Sequence, residues 1–216
     1  VCLWGSGKTA EAGAWIRRSE EFIFGLWDEY LDGENPVFNM DTIINVGTDE
    51  YSGYNEQFRQ MTDDLLAYAQ SKGRTVRLWG SLSEKSGSTQ VRSEGVQMNI
   101  WNTGWASPSA MYKQGFDLIN MVDGTLYIVP AAGYYYDYLN AKSLYNNWNP
   151  NTMGGTTIPA GSDQMLGSAY AIWNDMIDKK ANGISEYDIF DRFDAALPAM
   201  SSKLWGDTHP DRKSGS

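Results

Sequence analysis

The sequence predicts a parallel α/β fold of barrel type, with helices covering a sheet whose strand ends share one side. Three observations predict it. Apolar spacings of three and four alternate with short β-branched apolar runs, which is the signature of repeated strand–helix units. Each predicted strand delivers an aromatic or a carboxylate at or just past its C-terminal end, the end that carries the active site in such barrels. The 216 residues and 42% hydrophobic content are enough for one sizeable core.

The elements follow in order. Residues 9–31 read as a helix, because Ala12, Trp15, Ile16, Phe22, Ile23, Leu26, Trp27 and Leu31 recur at helical spacing. Asp32-Gly33 and Asn35-Pro36 stop it. Residues 42–46 form a buried strand that halts at Gly47. Residues 54–71 form a second helix with Phe58, Met61, Leu65, Leu66 and Ala69 inward, stopped by Gly73. Strands are predicted at 75–79 and 96–101, and a short helix over 108–115 ends at Gly115. The apolar stretches 117–122 and 125–129 hold the next strand. A long loop rich in Tyr, Asn, Pro and Gly covers 131–163. Residues 165–173 are the last strand, followed by two helices around 184–193 and 194–204.

Composition excludes several functions. The net charge is −10 and the pI about 4.5, so a phosphate backbone and an anionic membrane surface are both repelled. No run of 18 apolar residues exists to span a membrane. Cys2 is the one cysteine, which leaves no intrachain disulfide and no Cys-based zinc site. His209 is the one histidine and sits in a polar C-terminal tail, so a Ser-His-Asp or Cys-His set is not expected. Neither a metal nor a cofactor is expected. GSGKT at 5–9 looks like a phosphate loop, but the position that should hold its leading Gly is Cys2 and no strand precedes it. Aromatic content is high, with 9 Trp and 13 Tyr. That is more than a core needs, and flat rings with polar edges suit the faces of sugars.

The stretch TIINVGTDEYSG, residues 42–53, places Asp49 beside Glu50 where a strand ends. One reading is a solvated turn. The other is an acid/base pair. The remaining strand ends favour the second. They carry Trp79, Trp101, Tyr135 with Asp137, then Trp148 in the loop, and Trp173 with Asp175. Together these make a box of rings and carboxylates, with Asp137 and Asp175 placed to accept hydrogen bonds from sugar hydroxyls.

GTDEY after a strand, Trp79 and Trp101 at strand ends, Tyr135-x-Asp137, Trp148, Trp173-x-Asp175 and the LWG at 204–206 resemble family 20 glycoside hydrolases, the β-N-acetylhexosaminidases and lacto-N-biosidases. The order matches from about residue 14 to residue 206. The resemblance implies a (β/α)8 TIM barrel, of which this chain holds about strands four to eight. It implies one domain over 1–216, with 1–8 and 207–216 as flexible ends. Glu50 would be the general acid, Asp49 would hold the substrate's acetamido group, and Tyr135 would hydrogen-bond the acetamido oxygen. Trp79, Trp101, Trp148 and Trp173 would line the sugar pocket, and Asp137 and Asp175 would bind hydroxyls. The family's usual residue at the last position is Glu, and the shorter Asp175 looks more like the lacto-N-biosidase branch.

The chemistry agrees with that assignment. Neighbours on a strand point to opposite sides, so Asp49 and Glu50 can serve one bond only after the strand has ended, and Gly47 and Gly53 allow the bend. In the substrate-assisted variant the acetamido oxygen is the nucleophile, and no second carboxylate is needed. The resemblance also implies a bacterial extracellular or cell-surface setting, an N-acetylated glycan as partner, and another chain or an N-terminal segment that completes the barrel. Two other readings stand beside it. One is a non-catalytic carbohydrate-binding fragment with the same aromatic box. The other is a different barrel glycosidase pairing Glu50 with Glu84 or Glu94, both in the polar loop 80–95.

Overall fold

The computed structural model describes residues 9–176 and 184–205, with side chains from residue 17 onward. Cys2, residues 5–8 of GSGKT, Gly206, His209 and the two ends 1–8 and 207–216 lie outside the described residues. The chain divides into two compact units, Val1–Asn99 with Gly104–Leu118, and Ile100–Thr103 with Ile119–Ser216.

The first unit begins with α1 (Thr9–Leu31), at the bounds its periodicity predicts. β1 (Ile44–Asn45) is shorter than the expected 42–46. Thr42 explains this, because its N–H and Oγ1 both turn back to Asn39, at 3.1 and 3.0 Å, and leave the ladder. α2 (Asn55–Ser71) buries Phe58, Thr62, Leu65, Leu66 and Ala69 as one stripe. Full burial of each of the larger side chains stabilises by about 1.5–3 kcal/mol. β2 (Val76–Trp79) and β3 (Val96–Ile100) come next. β1 runs parallel to β2 with Ile44 against Val76, and β2 parallel to β3 with Val76 against Val96 and Trp79 against Asn99. Val76 and Leu78 are buried, while Arg77 and Trp79 face the other way and are half-buried, the period of two expected of a strand. α3 (Pro108–Gln114) starts on Pro108 behind Ser107 and ends at Gly115, whose φ of +93° closes the helix. β4 (Asp117–Asn120) follows.

Two sets of side chains hold this unit together. Arg74 is buried and donates to the carbonyls of Leu31 at 2.9 Å and Phe38 at 3.1 Å, and to that of Asn39. It thereby ties the end of α1 and the turn after it to the start of β2. On the other face of α2, Glu56, Arg59 and Asp63 recur at helical spacing and grip the segment 80–95. Glu56 accepts the N–H groups of Ser88 and Thr89 at 2.6 and 3.1 Å. Arg59 donates to the carbonyls of Thr89 at 2.8 Å and Lys85 at 2.9 Å. Asp63 pairs with Arg92 through both of its oxygens at 2.9 Å.

In the second unit, Met121 and Asp123 donate their N–H groups to Ile100 O and Trp101 O, at 3.0 and 2.7 Å. α4 (Asp123–Leu126) is a single turn that cuts the expected strand over 117–129 in two, with β5 (Tyr127–Ile128) beyond it. The stretch 131–163 is not one long loop. α5 (Ala141–Asn147) forms there because Asn140 caps it, its Oδ1 accepting from Ser143 N–H at 2.9 Å. β6 (Thr152–Met153) and β7 (Thr156–Thr157) pair as a hairpin. Gly154 and Gly155 make its turn at φ +53° and +83°, the left-handed pair that tight hairpins require. The expected strand 165–173 is likewise two pieces, β8 (Met165–Ser168) and β9 (Ala171–Ile172). β9 runs parallel to β5, whereas Ala169 N–H bonds Asn120 O at 3.1 Å.

α6 (Glu186–Trp205) is one helix where two were expected. It opens on a reciprocal cap, in which Asp188 N–H reaches Ser185 Oγ at 3.3 Å and Ser185 N–H reaches Asp188 Oδ2 at 2.8 Å. Pro198 lies inside it without ending it. An interior proline costs a helix about 3 kcal/mol, and the buried Ala196, Ala199 and Met200 on either side offset this. Ala196 and Ala199 pack into a core with Leu126, Ile128, Leu139 and Leu144.

Arg74→Met removes the donors that three carbonyls share and is expected to lower unfolding free energy by about 2–3 kcal/mol, read from urea denaturation. A loss within error of zero would show that Arg74 does not hold this corner.

Candidate active site

In the first unit the extended backbone continues past β1, with Val46 N–H on Arg77 O at 2.8 Å and Trp79 N–H on Gly47 O at 2.9 Å. Gly47 and Thr48 then both take left-handed φ values, +76° and +66°. Two such residues in a row reverse the chain direction sharply, and for threonine this conformation is strained. Side chains brace it. Thr48 Oγ1 donates to Gly47 O at 2.6 Å, and Ser81 Oγ to Thr48 O at 3.2 Å. Tyr51 N–H then closes on Asp49 O, and the Tyr51 ring stacks on Phe58 with centroids 5.9 Å apart.

The turn places Asp49 and Glu50 on one cavity of about 640 Å³, lined also by Val46, Tyr51, Phe58 and Met61. That volume falls in the range of small-molecule sites. The two carboxylates occupy different surroundings. Asp49 is half-buried and Glu50 is exposed. Burial pushes the Asp49 carboxyl above its ordinary range, and a hydrogen bond from its own backbone opposes this. Trp79 stands half-buried at the end of β2.

In the second unit, Trp173, Tyr127, Tyr135 and Tyr134 form a run of ring contacts, at 5.8, 5.6 and 5.8 Å between successive centroids. Trp173 N–H donates to Ile128 O at 2.9 Å, which sets this tryptophan directly beyond β9. Asp175 joins through Tyr134, whose hydroxyl donates to it at 3.0 Å. Trp101 is buried just after β3. Two further expected residues make contacts with the body of the unit. Asp137 accepts from Ala131 N–H and from Arg192 of α6, all at 3.0–3.1 Å. Trp148 is partly buried and packs against the core that holds Ile128, Leu139 and Leu144.

Asp123, Asn102 and Tyr127 are not among the residues that the sequence singles out. Asp123 accepts the Tyr135 hydroxyl at 2.9 Å and the Asn102 amide at 3.0 Å on the same oxygen. A signal for it was present. Asp123-Gly124 follows the apolar run LINMV much as Asp49 follows TIINV, but it lies between the two apolar stretches of one expected strand. Among the described residues, no three His, Cys, Asp or Glu gather as metal ligands would.

The family model described as Glycosyl hydrolase family 20, catalytic domain, matches residues 21–206. No curated protein matches the sequence. Among solved structures, the chain is similar to the pneumococcal exo-β-D-N-acetylglucosaminidase StrH, at 21% identity and a TM-score of 0.57, over 75% of this chain and 44% of that one. It is similar to the GH20 β-N-acetylhexosaminidase from Streptomyces coelicolor A3(2), at 17% identity and a TM-score of 0.63, over 89% and 38% of the two chains. It is also similar to the β-N-acetylhexosaminidase from Bacteroides fragilis NCTC 9343, at 16% identity and a TM-score of 0.59, over 79% and 37%. The chain thus spans less than half the length of these three structures. At such identities the likeness carries the fold, which is of TIM-barrel type.

The Asp49 environment generates a test with a definite sign. A carboxyl whose folded pKa is raised contributes stability that is complete below its unfolded value near 3.8 and is lost as pH rises through the folded value. At neutral pH the charged Asp49 therefore destabilises the fold. Asp49→Asn should raise the urea midpoint at pH 7, and the gain should vanish near pH 3. A gain of equal size at both pH values would point away from burial as the cause.

Proposed function

This chain belongs to glycosyl hydrolase family 20, and we propose that it carries the acid/base half of a site that releases terminal N-acetylhexosamine or lacto-N-biose from glycans. One observation carries the proposal. A braced left-handed turn past a strand end sets Asp49 and Glu50 on the same cavity.

In this proposal Glu50 donates its proton to the glycosidic oxygen as the bond from that oxygen to C1 breaks. The oxygen of the substrate's own 2-acetamido group forms the new bond to C1, on the opposite face, and gives a cyclic oxazolinium. Glu50, now a carboxylate, takes a proton from water, which attacks C1 and reopens the ring. Two inversions give net retention. Asp49 orients the acetamido N–H and balances the positive charge of the ring, which favours its ionised form against the burial that opposes it. Tyr135 holds the acetamido oxygen. Trp79, Trp101, Trp148 and Trp173 wall the sugar, and Asp137 and Asp175 accept from its hydroxyls. Asp137 would exchange part of its pairing with Arg192 for that role. The short arm of Asp175 favours lacto-N-biose as the released piece. The completing partner is a segment or a second chain that supplies the remaining strands of the barrel. An extracellular or cell-surface setting fits a glycan substrate, and among the described residues no helix is long and apolar enough to cross a membrane.

Glu50→Gln should lower kcat on an aryl N-acetylglucosaminide or lacto-N-bioside by about 10²-fold or more while leaving ligand affinity nearly unchanged, since only the proton donor is lost. Near-normal turnover would remove Glu50 from the role of acid. Binding of the sugar without turnover in the unsubstituted protein would make the chain a carbohydrate-binding fragment instead. A thiazoline that mimics the cyclised acetamido group should inhibit strongly, as ligands resembling a transition state do. Its effect should weaken in Asp49→Ala and Tyr135→Phe. Equal inhibition by a sugar with a plain 2-hydroxyl would sink substrate assistance.

A further inference from the structure

We infer that Asp123 is a positioning residue that holds the Tyr135 hydroxyl in place and thereby sets the preference for a 2-acetamido over a 2-hydroxyl sugar; this rests on the role proposed for Tyr135. The carboxylate is half-buried and joins three separate stretches of the second unit. Its Oδ2 accepts from Tyr135 Oη at 2.9 Å and from Asn102 Nδ2 at 3.0 Å. Its Oδ1 accepts from Gly124 N–H at 2.7 Å, and its own N–H donates to Trp101 O at 2.7 Å. Asp123 is therefore anchored by backbone at both ends of the residue, while its outer oxygen reaches two side chains.

The two ends of Tyr135 are held by different means. The ring packs edge-on to Tyr127 at 5.6 Å and Tyr134 at 5.8 Å, contacts that set the plane of the ring. The hydroxyl end is set by the carboxylate. A phenol carries one O–H donor and two acceptor positions, and an ionised oxygen is a stronger acceptor than a neutral amide oxygen. With no ligand, the Tyr135 proton goes to Asp123. The phenol has one proton, which an incoming acetamido oxygen can share only in a three-centre bond with Asp123, so the position of Asp123 fixes where the acetamido group has to lie. A 2-hydroxyl, which is smaller and can itself donate to the phenol oxygen, is not held to that position.

The test compares wild type, Asp123→Asn, Tyr135→Phe and the double substitution. Calorimetric affinities are measured for the N-acetylglucosamine-derived thiazoline and for a glucose-configured inhibitor with a 2-hydroxyl, and the ratio of the two is taken for each protein. Wild type should favour the thiazoline. Each single substitution should cut the ratio by about tenfold, the order of one charged hydrogen bond, and the double should cut it no further than either single. A purely structural role would lower both affinities together and leave the ratio intact. A kept ratio in Asp123→Asn with a lost ratio in Tyr135→Phe overturns the inference while leaving the role of Tyr135 standing. So does a double substitution whose effect is the product of the two singles. A wild-type ratio near one overturns the acetamido assignment itself. Should Asp123→Asn fail to fold, Asp123→Glu carries the same comparison, because it keeps the charge and displaces it by one methylene. A ratio unchanged in that variant also overturns the inference.

Discussion

Parallel pairing is the constraint on which the rest depends. Strands that run the same way must end on the same side, and the backbone bonds enforce this past the formal ends of the strands. Trp79 N–H meets Gly47 O, and Gly80 N–H meets Asn99 O at 3.0 Å. In the second unit Trp173 N–H meets Ile128 O. Each bond takes a residue of the candidate site, or its neighbour, and aligns it with the end of the next strand. Parallel ladders give no short hairpins, so a helix or a long connection must return the chain each time. α2 and the gripped segment 80–95 are two such returns.

The same strand-end device appears once in each unit with a different outcome. After TIINV the chain turns on two left-handed residues and exposes Glu50 beside a half-buried Asp49. After LINMV it enters a helical turn at once, and Asp123 is drawn into bonds with its own backbone and two side chains. A glycine at 47 makes the first route possible, because left-handed φ is open to it without strain. Asp123 begins a helical turn instead, where a carboxylate is favoured by the free N–H groups. The first route leaves two carboxylates on a cavity, and the second leaves one bonded to a tyrosine hydroxyl.

Legibility in the sequence followed the range of the interactions. α1 and α2 were readable because eight and five apolar positions repeat at one period. The strand ends were readable because β-branched runs stop abruptly at Gly, Trp or Asp. The stretch 131–163 misled, since its polar composition hides an Asn140 cap and a Gly154-Gly155 turn that act over only three or four residues. The split expected at 193/194 failed for the opposite reason, since one buried face of Arg192, Ala196, Ala199 and Met200 runs straight through it. Within the candidate site, Trp173 and Tyr135 both lie against the Tyr127 ring. The capture of Asp137 by Arg192, 55 residues away in sequence, and the packing of Trp148 on the core of the second unit come from tertiary contacts that no local pattern records.

The grip of α2 on residues 80–95 bears on proteolysis. A 16-residue connection without regular structure is ordinarily where a protease cuts first. Here the two basic side chains a trypsin-like enzyme would need are both engaged. Lys85 is buried with its Nζ over the Trp105 ring at 4.8 Å, and Arg92 is held by Asp63. Cleavage requires a segment to leave its contacts and extend into the protease, and this one must first release Glu56, Arg59 and Asp63 together. The helix that packs the core on one face thus shields the longest irregular connection of its unit with the other.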